Sequence, residues 1–162
     1  MLRSLLVLVT ILALSVPAGA IEKKAVKGQT AQLLADISYF AAQAKTEADF
    51  LGAYLRSGNP DWRNVLAQTG YLTDRARTIE RLIQKLESSE PKLTEQQAAE
   101  LDRMKAGLAT MKIFIANVNR VASENQSRLV FKRGELMANA NAVGVRSNII
   151  RESARNVRER AA

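Results

Sequence analysis

From residue 29 onward, apolar side chains recur three and four positions apart, the spacing that lines one face of an α-helix. Over 29–56 this stripe is Leu33, Ile37, Phe40, Ala44, Ala48, Leu51 and Leu55. Over 60–87 it is Trp62, Leu66, Thr69, Leu72, Ala76, Ile79, Ile83 and Leu86. From Thr94 it becomes most regular, with Leu101, Met104, Leu108, Met111, Ile115, Val118 and Ala122 alternating three and four throughout, as in the seam of a bundle or coiled coil. No stretch alternates apolar and polar residues as a half-buried strand does, so the pattern predicts an all-α chain.

The breaks between stripes coincide with residues that end and start helices. Pro17, Pro60 and Pro91 are the only prolines, so none falls inside a periodic stretch, where it would cost about 3 kcal/mol. In Ser57-Gly58-Asn59-Pro60, Gly58 is the expected stop, Asn59 the expected N-cap and Pro60 the expected first helical residue. Ser88-Ser89-Glu90-Pro91 makes the second break, and Leu93-Thr94-Glu95-Gln96-Gln97 contains a capping box pairing Thr94 with Gln97.

The last stretch leaves two outcomes open. Its seam continues in register through Leu129, Arg133, Leu136, Ala140, Val143, Ser147, Ile150, Ala154 and Val157, which permits one extended helix over 94–160. Polar Ser123-Glu124-Asn125-Gln126-Ser127 interrupts that seam and offers Ser127 as the cap of a new helix. The second outcome gives helices of about 28, 27, 30 and 33 residues in an antiparallel up-down-up-down bundle, because short connections join antiparallel neighbours. The final segment packs on small residues, with Gly134, Gly144 and several asparagines nearby, and is expected to fray first.

A leader precedes the bundle. Arg3, the apolar run from Leu5 to Val16, Pro17 and the small Ala18-Gly19-Ala20 have the order of a cleavable signal peptide over 1–20, with retention as an anchor the alternative. Cleavage leaves 21–162 as a single bundle domain with a basic C-terminal helix and no segment apolar enough to span a bilayer, placed in the periplasm or secreted.

Composition then removes most chemistry. The chain of 162 residues has no histidine and no cysteine, which excludes imidazole bases, thiol nucleophiles, disulfides and Glu-x-x-His metal sites. No metal or cofactor is expected. Met104 and Met111, seven apart, read as core methionines, and the acidic residues are too scattered for an oxygen-only cation site. Glu152-Ser153 resembles the Glu-Ser pair of lytic transglycosylases, but no downstream segment builds a cleft that would raise the acid's pKa. The expectation is a non-enzymatic protein.

Charge is the informative functional feature. The last 37 residues hold eight basic and three acidic side chains, a concentration not found elsewhere in the chain. Arg151, Arg155 and Arg158 fall on one helical stripe with Arg160 to its side, which points to an acidic protein or anionic envelope component as partner. Nucleic acid is disfavoured, since no stacking aromatics or reading helix accompany the arginines. Phe50, Tyr54 and Trp62 are expected to meet beneath the Gly58-Asn59 turn, giving Trp62 as a second partner contact. Polar seam residues also admit a homodimer.

Leu93-Thr94-Glu95-Gln96-Gln97 is also similar to the LTxxQ motif of the small basic helical stress chaperones of the periplasm and their metal-sensing relatives. That resemblance implies an ATP-independent chaperone or envelope-stress regulator working as a cradle-shaped dimer. A small-ligand sensory bundle, with a pocket between helices, is the remaining alternative.

Overall fold

A computed structural model describes the backbone of residues 18–89 and 93–159, with side chains from Gly28 onward. Its elements, in order, are α1 (Ala18–Arg56), α2 (Trp62–Ser88), α3 (Glu95–Glu124), a 3₁₀ connector (Gln126–Lys132) and α4 (Arg133–Glu159). No strand is present among the described residues. The helices pack in the cyclic order α1-α2-α3-α4, with α4 closing the ring against α1. This is an antiparallel four-helix bundle. The expected leader lies outside the described residues as far as position 17, while Ala18-Gly19-Ala20 begins α1.

The stripes read from the sequence converge inside. Ile37, Ala44, Ala48, Leu51 and Leu55 of α1 are buried, as are all seven residues of the α3 seam. Leu33, Phe40 and Leu66 are half-buried at the margin while their immediate neighbours Leu34, Ala41 and Val65 sit inside, and Trp62 is half-buried between exposed Asp61 and Arg63. An ideal helix drifts relative to a strict heptad, so over four or more turns the buried stripe moves to an adjacent residue. The described core runs from Leu34 to Val157, and a chain beginning at residue 21 therefore retains all of it.

Three boundaries differ from expectation. α1 starts well before residue 29, because Ala18 to Gly28 contains Ala, Glu and Lys and no proline to stop the helix. α2 is capped by Asp61 rather than Asn59. The Asp61 carboxylate accepts from the Arg63 N–H at 2.8 Å, and Pro60 is buried ahead of the helix instead of opening it. Gly58 does lie in the positive-φ region, at φ 116°, and turns the chain between α1 and α2.

The third difference is the link from α3 to α4. The single extended helix is excluded, since α3 ends at Glu124 and α4 folds back against it. The link is not a short turn capped by Ser127, and α4 is 27 residues rather than about 33. Asn125 stops α3, and the chain continues through a seven-residue 3₁₀ segment bent at Arg128 (φ −127°, ψ 21°). Leu129 explains this path. It is buried among the core side chains, and a connector that lets it reach inward also covers the open end of the bundle.

The small residues of α4 have a packing role that a tally of apolar area misses. Gly107 of α3 faces α4 so closely that an added Cβ would stand 3.2 Å from Ile150 Cγ1 and 3.7 Å from the Arg146 carbonyl oxygen. Gly144 of α4 approaches α1, with its Cβ position 3.9 Å from Ala48 Cβ. Ala140, Ser147 and Ala154 are fully buried on the same helix. Small side chains here permit short interhelical distances, and α4 makes broad contacts with both α1 and α3. Replacing Gly107 by Val is expected to lower unfolding free energy by about 1–3 kcal/mol through overpacking. Exposed Gly70, with open space around it, should gain roughly 0.5–1 kcal/mol when replaced by Ala. Urea unfolding of the two variants measures both signs.

Candidate functional site

The predicted arginines lie at the C-terminal end of α4, beside the start of α3. Gln97 fixes that junction. Its backbone N–H donates to Thr94 Oγ1 at 3.3 Å, its side-chain oxygen accepts from the Thr94 N–H at 2.9 Å, and its Nε2 donates to the Val157 carbonyl at 3.2 Å. The capping box is therefore formed, and its glutamine is buried because it also satisfies a carbonyl in the last turn of α4. Asn156 Nδ2 donates to Glu100 Oε1 at 3.0 Å across the same seam. Capping and interhelical bonding are the structural roles of Thr94 and Gln97 within the segment that resembles the LTxxQ motif.

On this platform Arg155 and Arg158 are exposed and Arg151 is half-buried. Arg155 holds Glu159 Oε1 with Nε at 3.3 Å and Nη2 at 3.1 Å. Among the described residues, Arg151 and Arg158 have no carboxylate partner. Arg160 lies outside the described residues. Glu152 is exposed while Ser153 is fully buried, so the two side chains share no cleft.

The aromatic expectation at the other end is corrected. Phe50 is exposed, Tyr54 and Trp62 pack at the margin of the core, and the three rings make no ring-to-ring contact. Tyr54 is instead a fastener for the turn: its hydroxyl accepts from the Asp61 N–H at 2.9 Å and from Asn64 Nδ2 at 3.3 Å. Trp62, half-buried, carries the Arg63 guanidinium 5.2 Å from its ring centroid. Phe50 points away because it lies one residue off the buried Leu51, on the outer side of the helix.

Between α2 and α3 an open furrow of about 580 Å³ runs over Ile83, Leu108, Ala109 and Ile113. Two ion pairs span it, Glu80 to Lys112 at 2.8 Å and Glu87 to Lys105 at 2.8 Å. Glu80 and Glu87 are seven apart, as are Lys105 and Lys112, so one heptad repeat of opposite sign holds the two antiparallel helices in register. The hydrogen bond from Lys105 to Glu87, followed by Glu87's charge, holds the Lys105 ammonium above its ordinary pKa of 10.5. Any stabilisation from that raised value is fully present below the ordinary value and is lost as pH rises through the folded one.

No cluster of carboxylates able to hold a metal ion occurs among the described residues. No described helix is long and apolar enough to cross a membrane. Compared with known protein families, curated proteins and solved structures, the chain shows no match.

The sequence missed two features of the bundle ends: the Tyr54 hydroxyl bonded to the turn, and Phe131, which stands almost fully exposed on the connector. A Tyr seven residues before an N-cap Asp gives no local signal of that contact. The Val130-Phe131 pair between cationic residues is visible in the sequence, but the seam reading assigned that stretch to a helix start. Replacing Gln97 by Met is expected to cost about 1–2 kcal/mol, by removing a cap and a buried carbonyl's partner. Amide exchange should then accelerate at the start of α3 and the last turn of α4 while the centre of the bundle keeps its protection.

Proposed function

We propose that this chain is an exported, non-enzymatic helical scaffold that docks an anionic partner, an acidic protein or an anionic envelope component, on the outer face of α4 near its C-terminus. One observation carries the reading. Arg151, Arg155 and Arg158 share a face of a helix that is firmly seated, and two of these guanidiniums have no carboxylate among the described residues. Lys45, Arg75, Lys105, Lys112 and Arg120 are each paired with a carboxylate within the fold, whereas Arg56, Arg63, Arg128, Arg133 and Arg146 share with Arg151 and Arg158 the lack of one among the described residues; the α4 group is distinguished by its three-residue stripe on one helix face. Two guanidiniums without a carboxylate partner among the described residues, next to a third bonded to Glu159, make a preorganised contact for carboxylates or phosphates.

A scaffold function needs a stiff body with chemistry on its surface, and the bundle meets that need. The apolar stripes are turned inward, and the capping box with the Gln97 to Val157 bond secures the helix that bears the arginines. At the far end, half-buried Trp62 with the Arg63 guanidinium over its ring offers a second contact separate from the α4 face.

The test uses residues 21–162 and an immobilised polyglutamate probe. Arg151→Gln, Arg155→Gln and Arg158→Gln together should elute at clearly lower salt than the parent chain, with affinity reduced about five- to tenfold at low ionic strength, since an exposed charge contact contributes about 0.2–1 kcal/mol. Helicity should be unchanged. Equal elution of the parent and triple variant removes the α4 face as the docking site.

A further inference from the structure

We infer that the 3₁₀ connector at the opposite end of the bundle is a docking tip for an anionic phospholipid surface, with Phe131 as the inserting side chain. This goes beyond the α4 reading, because the connector and the arginine face lie toward opposite ends of α4, Arg133 at its start being roughly 27 Å along the helix from Arg151 and roughly 38 Å from Arg158 at 1.5 Å per residue.

The connector sorts three consecutive apolar residues in an unusual way. Leu129 is 2 % exposed and anchors the segment in the core, whereas Val130 is 46 % and Phe131 86 % exposed. Phe131 is thus displayed on a fixed base. Its neighbours in sequence are cationic: exposed Arg128 and half-buried Lys132 and Arg133. Arg128 has no carboxylate partner among the described residues. Arg133 donates through Nη1 to the Gly58 carbonyl at 3.4 Å, which joins the connector to the α1–α2 turn without neutralising the guanidinium. Exposed Arg56 enters the same end from the last turn of α1. Among the described residues, Lys132 is the one of these flanking cations paired with a carboxylate, Glu135 at 3.3 Å.

Charge and shape together select the occupant. A protein partner offers an aromatic anchor a prebuilt pocket, and such anchors usually sit amid a broad desolvated patch. Here Phe131 and Val130 project from a bundle end where Arg56, Arg63, Arg120, Arg128, Lys132 and Arg133 outnumber the exposed carboxylates Asp61, Glu124 and Glu135, the last two already held by Arg120 and Lys132, while Trp62 beside the turn is half-buried. A lipid interface accepts a projecting ring without a prepared cavity and supplies phosphate charge around it. Burial of one large apolar side chain is worth roughly ten- to a hundredfold in partitioning. Each basic residue near an anionic leaflet adds about fivefold. Neither contribution alone gives firm attachment, and the connector combines them.

Co-sedimentation of residues 21–162 with vesicles tests the assignment, using phosphatidylcholine alone and phosphatidylcholine containing phosphatidylglycerol. The parent chain should bind the phosphatidylglycerol vesicles at least about tenfold better than the neutral ones, and high salt should weaken that binding. Phe131→Ser should lower binding about tenfold or more while leaving helicity and the unfolding midpoint intact, since the ring is exposed. Arg128→Gln with Lys132→Gln should lower it with the salt dependence flattened. The Arg151, Arg155 and Arg158 triple variant should bind these vesicles within about twofold of the parent, and Phe131→Ser should bind polyglutamate normally, so the two docking sites fail separately. No binding to phosphatidylglycerol vesicles overturns the inference. So does binding unaffected by Phe131→Ser, or a Phe131-dependent interaction with polyglutamate and not with vesicles, which assigns the tip to an acidic protein.

Discussion

Close approach of α4 to α1 and α3 is the constraint on which the rest of the bundle depends. α4 is the last helix in the chain and the one that closes the ring, and it does so with residues that carry little side chain. Gly107 has no room for a Cβ beside Ile150 without a shift, and Gly144 brings α4 onto Ala48. Larger residues at these places would push the helices apart and open the core where Met104, Met111 and Ile150 meet no solvent. Ser147 fits the same logic: its hydroxyl returns to the Val143 carbonyl at 2.9 Å and lies 3.3 Å from Met111 Sδ, so a polar residue is buried at small volume with its bond made.

What this closure achieves is a fixed distance between two differently equipped ends. The capping box and the Gln97 bond to Val157 lock one end. The Tyr54 hydroxyl, the Asp61 cap and the Arg133 bond to Gly58 organise the other. The heptad-spaced ion pairs between α2 and α3 hold register along the opposite wall. Cationic side chains without carboxylate partners among the described residues therefore occupy defined positions at both ends.

The fold was legible in the sequence where repetition was long. The α3 seam spans six intervals without a fault, and Thr94 with Gln97 marks its start chemically, so helix and boundary both followed. Boundaries set by competition between adjacent residues did not follow. Asn59-Pro60 and Asp61 are both credible starts, and burial of Pro60 together with the Tyr54 contact decides for Asp61. The connector was hidden for a similar reason. Leu129 continues the helical spacing from Ala122 even though the backbone between them is bent, because a 3₁₀ path can deliver a side chain to the same inner surface. The one-sided exposure of Phe131 arises from that bend and has no signature in periodicity. Of the candidate site, the stripe of Arg151, Arg155 and Arg158 was readable from spacing, whereas which of them is already engaged by Glu159 required the fold.

The closing contact between α1 and α4 is open to direct measurement because the natural chain has no cysteine to interfere. The Cβ position of residue 144 lies 3.9 Å from Ala48 Cβ, within the range of about 3.5–4.5 Å that a disulfide needs. Ala48→Cys combined with Gly144→Cys should give, on mild oxidation of dilute protein, a monomeric disulfide seen as a mass loss of two hydrogens and released by reductant, with helicity unchanged. A double variant that folds yet stays reduced, or that oxidises only into linked pairs of chains, would contradict the packing of α4 against α1.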